Sequence, residues 1–326
     1  MKPKTLTTAR RIVQGFFLLL FFYLFIETES KGADELGWPV RLFLDFDPLI
    51  LITTLLAAHK AAVAFYLSLI VIAITLVFGR VFCGWACPLG TLHNLVGLFK
   101  KHAGPVLKLH WLKYALLVFL LVSSFFTLQL VGLMDPISLL IRSLSISIYP
   151  LFAKGLSSVF DTAYAHGPGW LTAMTEPVYE VLKQSVLPFI EPHYRQAVFV
   201  GLLFAFILAL NLYERRLWCR HICPLGALLG LLSRKALISR RVSEDCNACG
   251  ACVDVCHGAA NPHMPALYRV EECFACNNCD DACPEGAVFF GGRGIASLPL
   301  DLGRRRLLLP LPGCWQCRFC VSGQRN

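Results

Sequence analysis

Four apolar stretches limit what this chain can fold into more than any other feature. Ile12–Ile26 runs fifteen residues without a charge, Ala61–Gly79 nineteen and Ala197–Tyr213 seventeen; Trp111–Leu133 holds only Lys113, near one end, where it can snorkel. A helix needs about 20 apolar residues to cross a bilayer core, and in lipid only a helix or a closed barrel satisfies its own backbone. Composition agrees. Of the residues 56% are hydrophobic and 16% charged, against about 45–50% and about 25% in soluble domains. Ordinary soluble, disordered and collagen-like classes are excluded on these grounds.

Direction follows from the basic residues near the span ends. Lys2, Lys4, Arg10 and Arg11 precede or open the first stretch. Arg80, Lys100, Lys101 and Lys108 follow the second, and Arg215, Arg216, Arg220, Arg234, Lys235, Arg240 and Arg241 follow the fourth. The connection between the first two stretches is acidic, with Glu27, Glu29, Asp34, Glu35, Asp45 and Asp47. These charges predict a multi-pass protein of a bacterial inner membrane, with four spans, both termini cytoplasmic and the connection 134–196 outside. No small-x-small site follows the first stretch, which reads as an uncleaved signal anchor. Leu49–Ala58 is too short to span. It reads as a short helix at the outer face, with a break near His59.

The membrane part repeats itself. Asp47-Pro48 follows the first stretch and Asp135-Pro136 the third. The second ends in Arg80-Val81-Phe82-Cys83-Gly84-Trp85-Ala86-Cys87-Pro88-Leu89-Gly90. The fourth ends in Arg216-Leu217-Trp218-Cys219-Arg220-His221-Ile222-Cys223-Pro224-Leu225-Gly226. Two spans per half make the halves parallel, related by an axis along the membrane normal. Cys83, Cys87, Cys219 and Cys223 then meet at the cytoplasmic surface near that axis. Cysteines at i and i+4 share one face of a helix, and the following Pro forbids its ordinary continuation. Four thiols here hold one iron-sulfur cluster, act as two redox dithiols, or are inert buried cysteines. Spacing does not separate these.

A second pattern lies beyond the last span. Cys246-x2-Cys249-x2-Cys252-x3-Cys256 is followed by Cys273-x2-Cys276-x2-Cys279-x3-Cys283-Pro284. This is the two-cluster bacterial ferredoxin run, in which the fourth cysteine of each run ligates the other cluster. It assigns Cys246, Cys249, Cys252 and Cys283 to one 4Fe-4S cluster and Cys273, Cys276, Cys279 and Cys256 to another. His257 stands where Pro is usual after the first run. Zinc sites more often pair Cys-x2-Cys units across a longer spacer, and a cytoplasmic placement disfavours disulfides. A third run, Cys314-x2-Cys317-x2-Cys320, lacks a fourth cysteine. It is a third iron-sulfur site completed from elsewhere, a three-iron site or a vestige. Arg304-Arg305-Arg306, before Leu307-Leu308-Leu309, is a surface for lipid or a solvated charge run.

The ferredoxin stretch carries Glu244, Asp245, Asp254, Glu271, Glu272, Asp280, Asp281 and Glu285 against Arg269 alone, while the whole chain is +9. The basic excess sits beside the spans, where orientation and lipid explain it; nucleic acid is not needed as a partner. The acidic face and the connection 134–196 are the surfaces a redox partner would use. His59, His93, His102, His110 and His221 are scattered, and only His221, between two cysteines, is a candidate for proton handling. No constellation for independent catalysis is visible.

With both cysteine patterns in view, residues 1 to about 290 resemble the NapH/MauN-type membrane polyferredoxins, which are related to the C-terminal region of NosR and to CcoG-like proteins. The longer segment Asp135–Gln196 and the third cysteine run depart from the compact pattern. The resemblance implies electron transfer between the quinol pool, or a cytoplasmic donor, and a partner redox system, in the manner of a quinol-dehydrogenase subunit. Quinone is then a candidate cofactor. Assembly or maturation of a metalloenzyme, and redox sensing, are the alternatives. The expected architecture is an all-α membrane domain (1–240; four transmembrane helices in two parallel repeats), a small α+β two-cluster ferredoxin-like domain (241–290) and a basic tail (291–326).

Overall fold

The computed structural model describes residues 3–28, 40–58, 66–99, 107, 109–166, 175–177, 179–182, 195–260 and 268–292. The third cysteine run, the Arg304–Arg306 cluster and the expected break near His59 lie outside the described residues. The helices are α1 (Pro3–Glu27), α2 (Arg41–Asp45), α3 (Pro48–Ala58), α4 (Leu67–Phe78), α5 (Pro88–Val96), α6 (His110–Phe125), α7 (Val131–Met134), α8 (Pro136–Ser143), α9 (Tyr149–His166), α10 (Ala197–Tyr213), α11 (Pro224–Ser233), α12 (Ala251–Asp254) and α13 (Asn278–Asp281). Strands β1 (Ile238–Val242) and β2 (Val288–Gly292) pair antiparallel, Ile238 opposite Gly292 and Val242 opposite Val288, and close the ferredoxin module.

The helical bundle holds polar groups inside beside an apolar core and turns further apolar side chains outward. In α1, Thr7, Arg10, Gln14 and Phe21 are buried while Ile12, Phe16, Leu19 and Tyr23 are exposed, spacings that divide the helix into two faces. In α4, Ser68 and Thr75 point inward and Leu69, Ile70 and Phe78 outward. In α6, Ser123 and Ser124 are buried while Val118, Phe119 and Val122 are exposed. In α10, Asn211 is buried while Val198, Phe199, Leu202 and Phe206 face out. The inward hydroxyls of Thr53, Thr75 and Ser124 donate to carbonyls one turn back. Such a surface suits lipid, where apolar side chains need no partner and buried polar groups must find one.

Each sequence stretch contains a helix, with differences. Leu6–Glu27 of α1 is long and apolar enough to cross a bilayer. The third helix stops early, at Phe125, where the Ser124 hydroxyl bonds back to Leu120 and Thr127 takes φ 63°. The chain between 134 and 166, expected as part of an outer connection, is helical. With a π-turn at Leu144–Ile148 joining α8 and α9, Pro136–Ala165 forms a 30-residue apolar helix, the second one long enough to span. Arg142, Lys154 and Asp161 interrupt it, which is why no long charge-free window marks it.

Gly84 lets the bundle and the ferredoxin module touch, and Gly258 lets the module close on itself. A Cβ on Gly84 would strike the Phe274 carbonyl, and one on Gly258 the Glu272 carbonyl. Gly84→Ala and Gly258→Ala are each expected to cost about 1–3 kcal/mol by overpacking. Gly15→Ala, with nothing within 4 Å of its Cβ position, is expected to gain up to about 1 kcal/mol of helix propensity. Thermal unfolding of the detergent-solubilised chain checks the contrast.

Candidate functional site

Both Cys-x3-Cys-Pro motifs fold alike. Each begins as a π-turn, Phe82–Ala86 or Trp218–Ile222, closed by a bond from the second cysteine's N–H to the carbonyl five residues back, Cys87 to Phe82 and Cys223 to Trp218, both 2.9 Å. The residue before a proline is pushed out of the α region. Cys87 and Cys223 are accordingly extended (ψ 118° and 112°), and Pro88 and Pro224 open new helices. The expected common face of one α-helix is therefore replaced by a wide turn and an extended cysteine. The Gly226 N–H lies 3.3 Å from the Cys223 Sγ, and the Gly90 N–H serves Cys87 in the same way.

The fold gathers Cys83, Cys87, Cys219 and Cys223. Cys87, Cys219 and Cys223 are buried in one hydrophobic cluster, with Cys83 packed against it. Burial pushes the thiols of Cys87, Cys219 and Cys223 up, and the charge of the other cysteines adds to the rise. Two arginines cross between the halves. Arg216 donates to the Cys83 carbonyl (3.0 Å) and lies 3.7 Å from where a Gly90 Cβ would stand; Arg80 reaches within 2.6 Å of the corresponding point on Gly226. The glycine of each Cys-Pro-Leu-Gly thus makes room for the arginine of the other half. The two guanidinium groups lie over the Phe274 ring at 4.6 and 5.1 Å, within cation–π range.

Phe274 belongs to the ferredoxin module, and its neighbour Glu272 locks the module down. Glu272 is 1% exposed. It meets Lys113 in an ion pair, Arg80 at 3.3 Å and the Tyr114 hydroxyl at 3.5 Å, and His110 stands 4.0 Å away. Lys113, expected to snorkel, is instead wholly buried, because a carboxylate is brought to it. Glu272 correspondingly leaves the acidic face, on which Glu244, Asp245, Asp254 and Glu285 remain exposed. Trp85 Nε1 donates to the Ala275 carbonyl (3.0 Å), Gln14 to the Gly84 carbonyl (2.6 Å), and Arg220 to the carbonyls of Cys256 and His257 (2.8 Å each). His221 lies beside His110, ring centroids 4.8 Å apart, and 3.4 Å from Glu214. Burial opposes the ionisation of Glu214, but His221 and Arg220 outweigh it and hold that carboxyl below its ordinary range.

The two ferredoxin runs also fold alike. Ala248, Gly250 and Ala259 in the first, and Ala275, Asn277 and Gly286 in the second, take left-handed φ of 47–79°. For alanine this costs energy, and alternating hands of backbone turn amides inward into an anion-binding concavity. The N–H of Ala260 lies 3.5 Å from Cys256 Sγ, and that of Ala287 3.3 Å from Cys283 Sγ. Cys256, Cys273, Cys276 and Cys279 line a single cavity with Arg240 and Tyr268. Cys252 packs with Cys283 around Val288. Among the described residues no three His, Cys, Asp or Glu side chains close on a single ion; a cubane asks instead for sulfurs spaced around a cage.

Charge tests whether an iron-sulfur group fits the membrane-edge thiols. Arg10, Arg80, Lys113, Arg216 and Arg220 are buried in this layer, against the buried carboxylates Glu214 and Glu272 and the half-buried Asp281. Arg10 Nε and Nη1, Arg80 Nε and Nη2, and Arg216 Nη2 have no hydrogen-bond partner. Buried cations left uncompensated cost several kcal/mol each. A cubane held by four thiolates carries net negative charge and fits this surplus. The sequence signal for the arginines was present, an Arg three residues before the first cysteine of each motif, but a charge at a span end also reads as an orientation signal. Phe274 had no signal.

Comparison with known proteins finds an iron-sulfur family match. A family model described as a 4Fe-4S binding domain matches residues 61–105 and 196–243, the two segments that carry the membrane-edge cysteines. The chain is 28% identical over 226 residues to the putative electron transport protein YccM of Escherichia coli (68% of this chain, 53% of the relative). It is 27% identical over 225 residues to the ferredoxin-type protein NapH of Escherichia coli (67% and 61%). It is 26% identical over 232 residues to the methylamine utilization ferredoxin-type protein MauN of Paracoccus denitrificans (68% and 64%). The matched region thus spans between half and two thirds of these relatives. No solved structure matches. The resemblance to NapH and MauN expected from the motifs is found.

Removing one partner of a buried ion pair costs about 3–5 kcal/mol. Glu272→Gln is therefore expected to destabilise the seam by that order, and Lys113→Met added to it to recover part of the loss. Proteolytic release of the ferredoxin module, compared across wild type and the two variants, checks this.

Proposed function

We propose that this chain, similar over two thirds of its length to NapH/MauN-type ferredoxin-type proteins, is a membrane-anchored iron-sulfur electron-transfer protein. It passes electrons between a quinol or a cytoplasmic donor and a partner redox system. Cys246, Cys249, Cys252 and Cys283 would hold one cluster, Cys273, Cys276, Cys279 and Cys256 a second, and Cys83, Cys87, Cys219 and Cys223 a third. Bound there, each 4Fe-4S group would supply one-electron redox chemistry. The anchor would be four spans in two parallel repeats with both termini cytoplasmic, and Pro136–Ala165 would lie against α10 without crossing. The acidic module would then face the cytoplasm and present Glu244, Asp245, Asp254 and Glu285 to a basic partner.

One observation carries the reading. Cys276 packs in the same continuous core as Cys87, Cys219, Cys223 and Phe274. Phe274 lines the cavity of the second ferredoxin set and shares that core with the membrane-edge set, under Arg80 and Arg216. Phe274 is 1% exposed. Its own chain places Cys273 beside it, and Gly84 lets its backbone lie directly on the Cys83–Cys87 turn. Arg80 and Arg216 hold positive charge against the site and would favour its reduced, more negative state. An aromatic wedge between two such sets keeps them near and dry without fusing them.

The full chain purified anaerobically is expected to be brown, with iron and sulfide equal to three cubanes from these twelve cysteines. Cys87→Ser with Cys223→Ser should lose one cluster's worth of iron and one paramagnetic species while the ferredoxin signals persist. Unchanged iron in that variant, or iron-free wild-type protein, sinks the assignment.

A further inference from the structure

The two Asp-Pro motifs have no part in that electron path, yet the fold brings them together. Asp47 caps α3: its Oδ1 accepts from the N–H groups of Leu49 (2.8 Å) and Ile50 (3.4 Å). Asp135 caps α8: its Oδ2 accepts from Ile137 (3.0 Å) and Ser138 (2.9 Å). Both side chains are wholly buried. The second oxygen of each, Asp47 Oδ2 and Asp135 Oδ1, has no hydrogen-bond partner. Asp47 joins α2 to α3 and Asp135 joins α7 to α8; α2 packs against α8 and α3 against α7, which brings the two junctions together.

We propose that Asp47 and Asp135 form a proton-binding site, a carboxyl pair that shares one proton between the two repeats. Like charges in contact cannot both ionise when buried. One proton leaves one negative charge over the pair, opposite the amino ends of two helices, and helix amino ends favour negative charge. A second proton would discard that attraction; none would leave bare repulsion. Other ionisable groups on the elements packed against α3 and α8 are few. They are Asp45 and Arg41 on α2, ion-paired at 3.6 Å, Arg142 on α8 itself, His93 on α5, His110, Lys113 and Tyr114 in the first turns of α6, and Tyr213 at the end of α10. Lys113 is committed to Glu272. Burial, and for Asp47 the neighbouring carboxylate, hold both groups above the ordinary carboxylate range. A proton affinity raised by folding stabilises the fold at low pH, and that stabilisation is lost as pH rises through the raised value.

The test uses the full chain in lipid nanodiscs. Infrared spectra at neutral pH in H2O and D2O are expected to show a protonated-carboxyl band in wild type that is absent from Asp47→Asn and from Asp135→Asn, where an amide supplies the donor. Wild-type thermal stability should fall from neutral to alkaline pH, and the Asn variants should lose that slope. A missing band, a band unchanged in both variants, or an equal alkaline slope in the variants would overturn the site. So would a sodium-dependent rise in wild-type stability that the variants lack, which would put a cation where the proton is placed. If neither variant folds, the wild-type band decides alone: its titration on the alkaline side supports the site and its absence at neutral pH overturns it.

Discussion

Charge buried in the seam between the helices and the ferredoxin module is the constraint on which the rest of this structure depends. Arg80 and Lys113 are fully buried, where an unpaired cation is costly. Glu272 comes from 159 residues further along the chain to meet Lys113. Because Glu272 stands one residue before Cys273 and two before Phe274, satisfying those cations also delivers the second cysteine run and its aromatic neighbour to the Cys83–Cys87 turn. The ion pair places the wedge, and the wedge sets how the two cysteine groups face each other. Gly84 matters for the same reason, since a side chain there would hold the seam open.

The duplication is used differently in different places. The two Cys-x3-Cys-Pro turns keep equal backbone conformation, and their arginines exchange places across the junction. The module then breaks the equivalence. Arg80 turns to Glu272 and the Glu271 carbonyl, whereas Arg216 is held by Asn94 (2.9 Å) and the Cys83 carbonyl. Both halves hold the module, the first through Arg80 and the second through Arg220, which donates to the Cys256 and His257 carbonyls, while Arg216 also buttresses the first half. Asn211 reinforces this second role by linking the His93 carbonyl to the Arg216 N–H, both at 2.5 Å.

Much of the site was legible in one dimension. Thiolate ligands must come close together in sequence to wrap a small cage, so Cys256, Cys273, Cys276 and Cys279 could be grouped from spacing, and they line one cavity. The matching left-handed residues Ala248 and Ala275 were not legible, because alanine does not advertise that conformation. Lys113 was misread for a related reason. A lone lysine near a span end has a cheap exit to water, and only a partner distant in sequence makes burial the better choice. The helix across 136–165 was hidden because polar residues spaced along it break the window that marks a span.

The helices in the four apolar stretches and the repeated cysteine spacings came from the sequence by itself, since local periodicity and spacing are short-range properties. Tertiary structure alone decided that Asp47 meets Asp135, that Arg80 and Arg216 flank Phe274, and that Glu272 is buried. These are contacts between residues many positions apart, chosen by which buried polar groups can satisfy one another once the helices pack, and no local pattern encodes that choice.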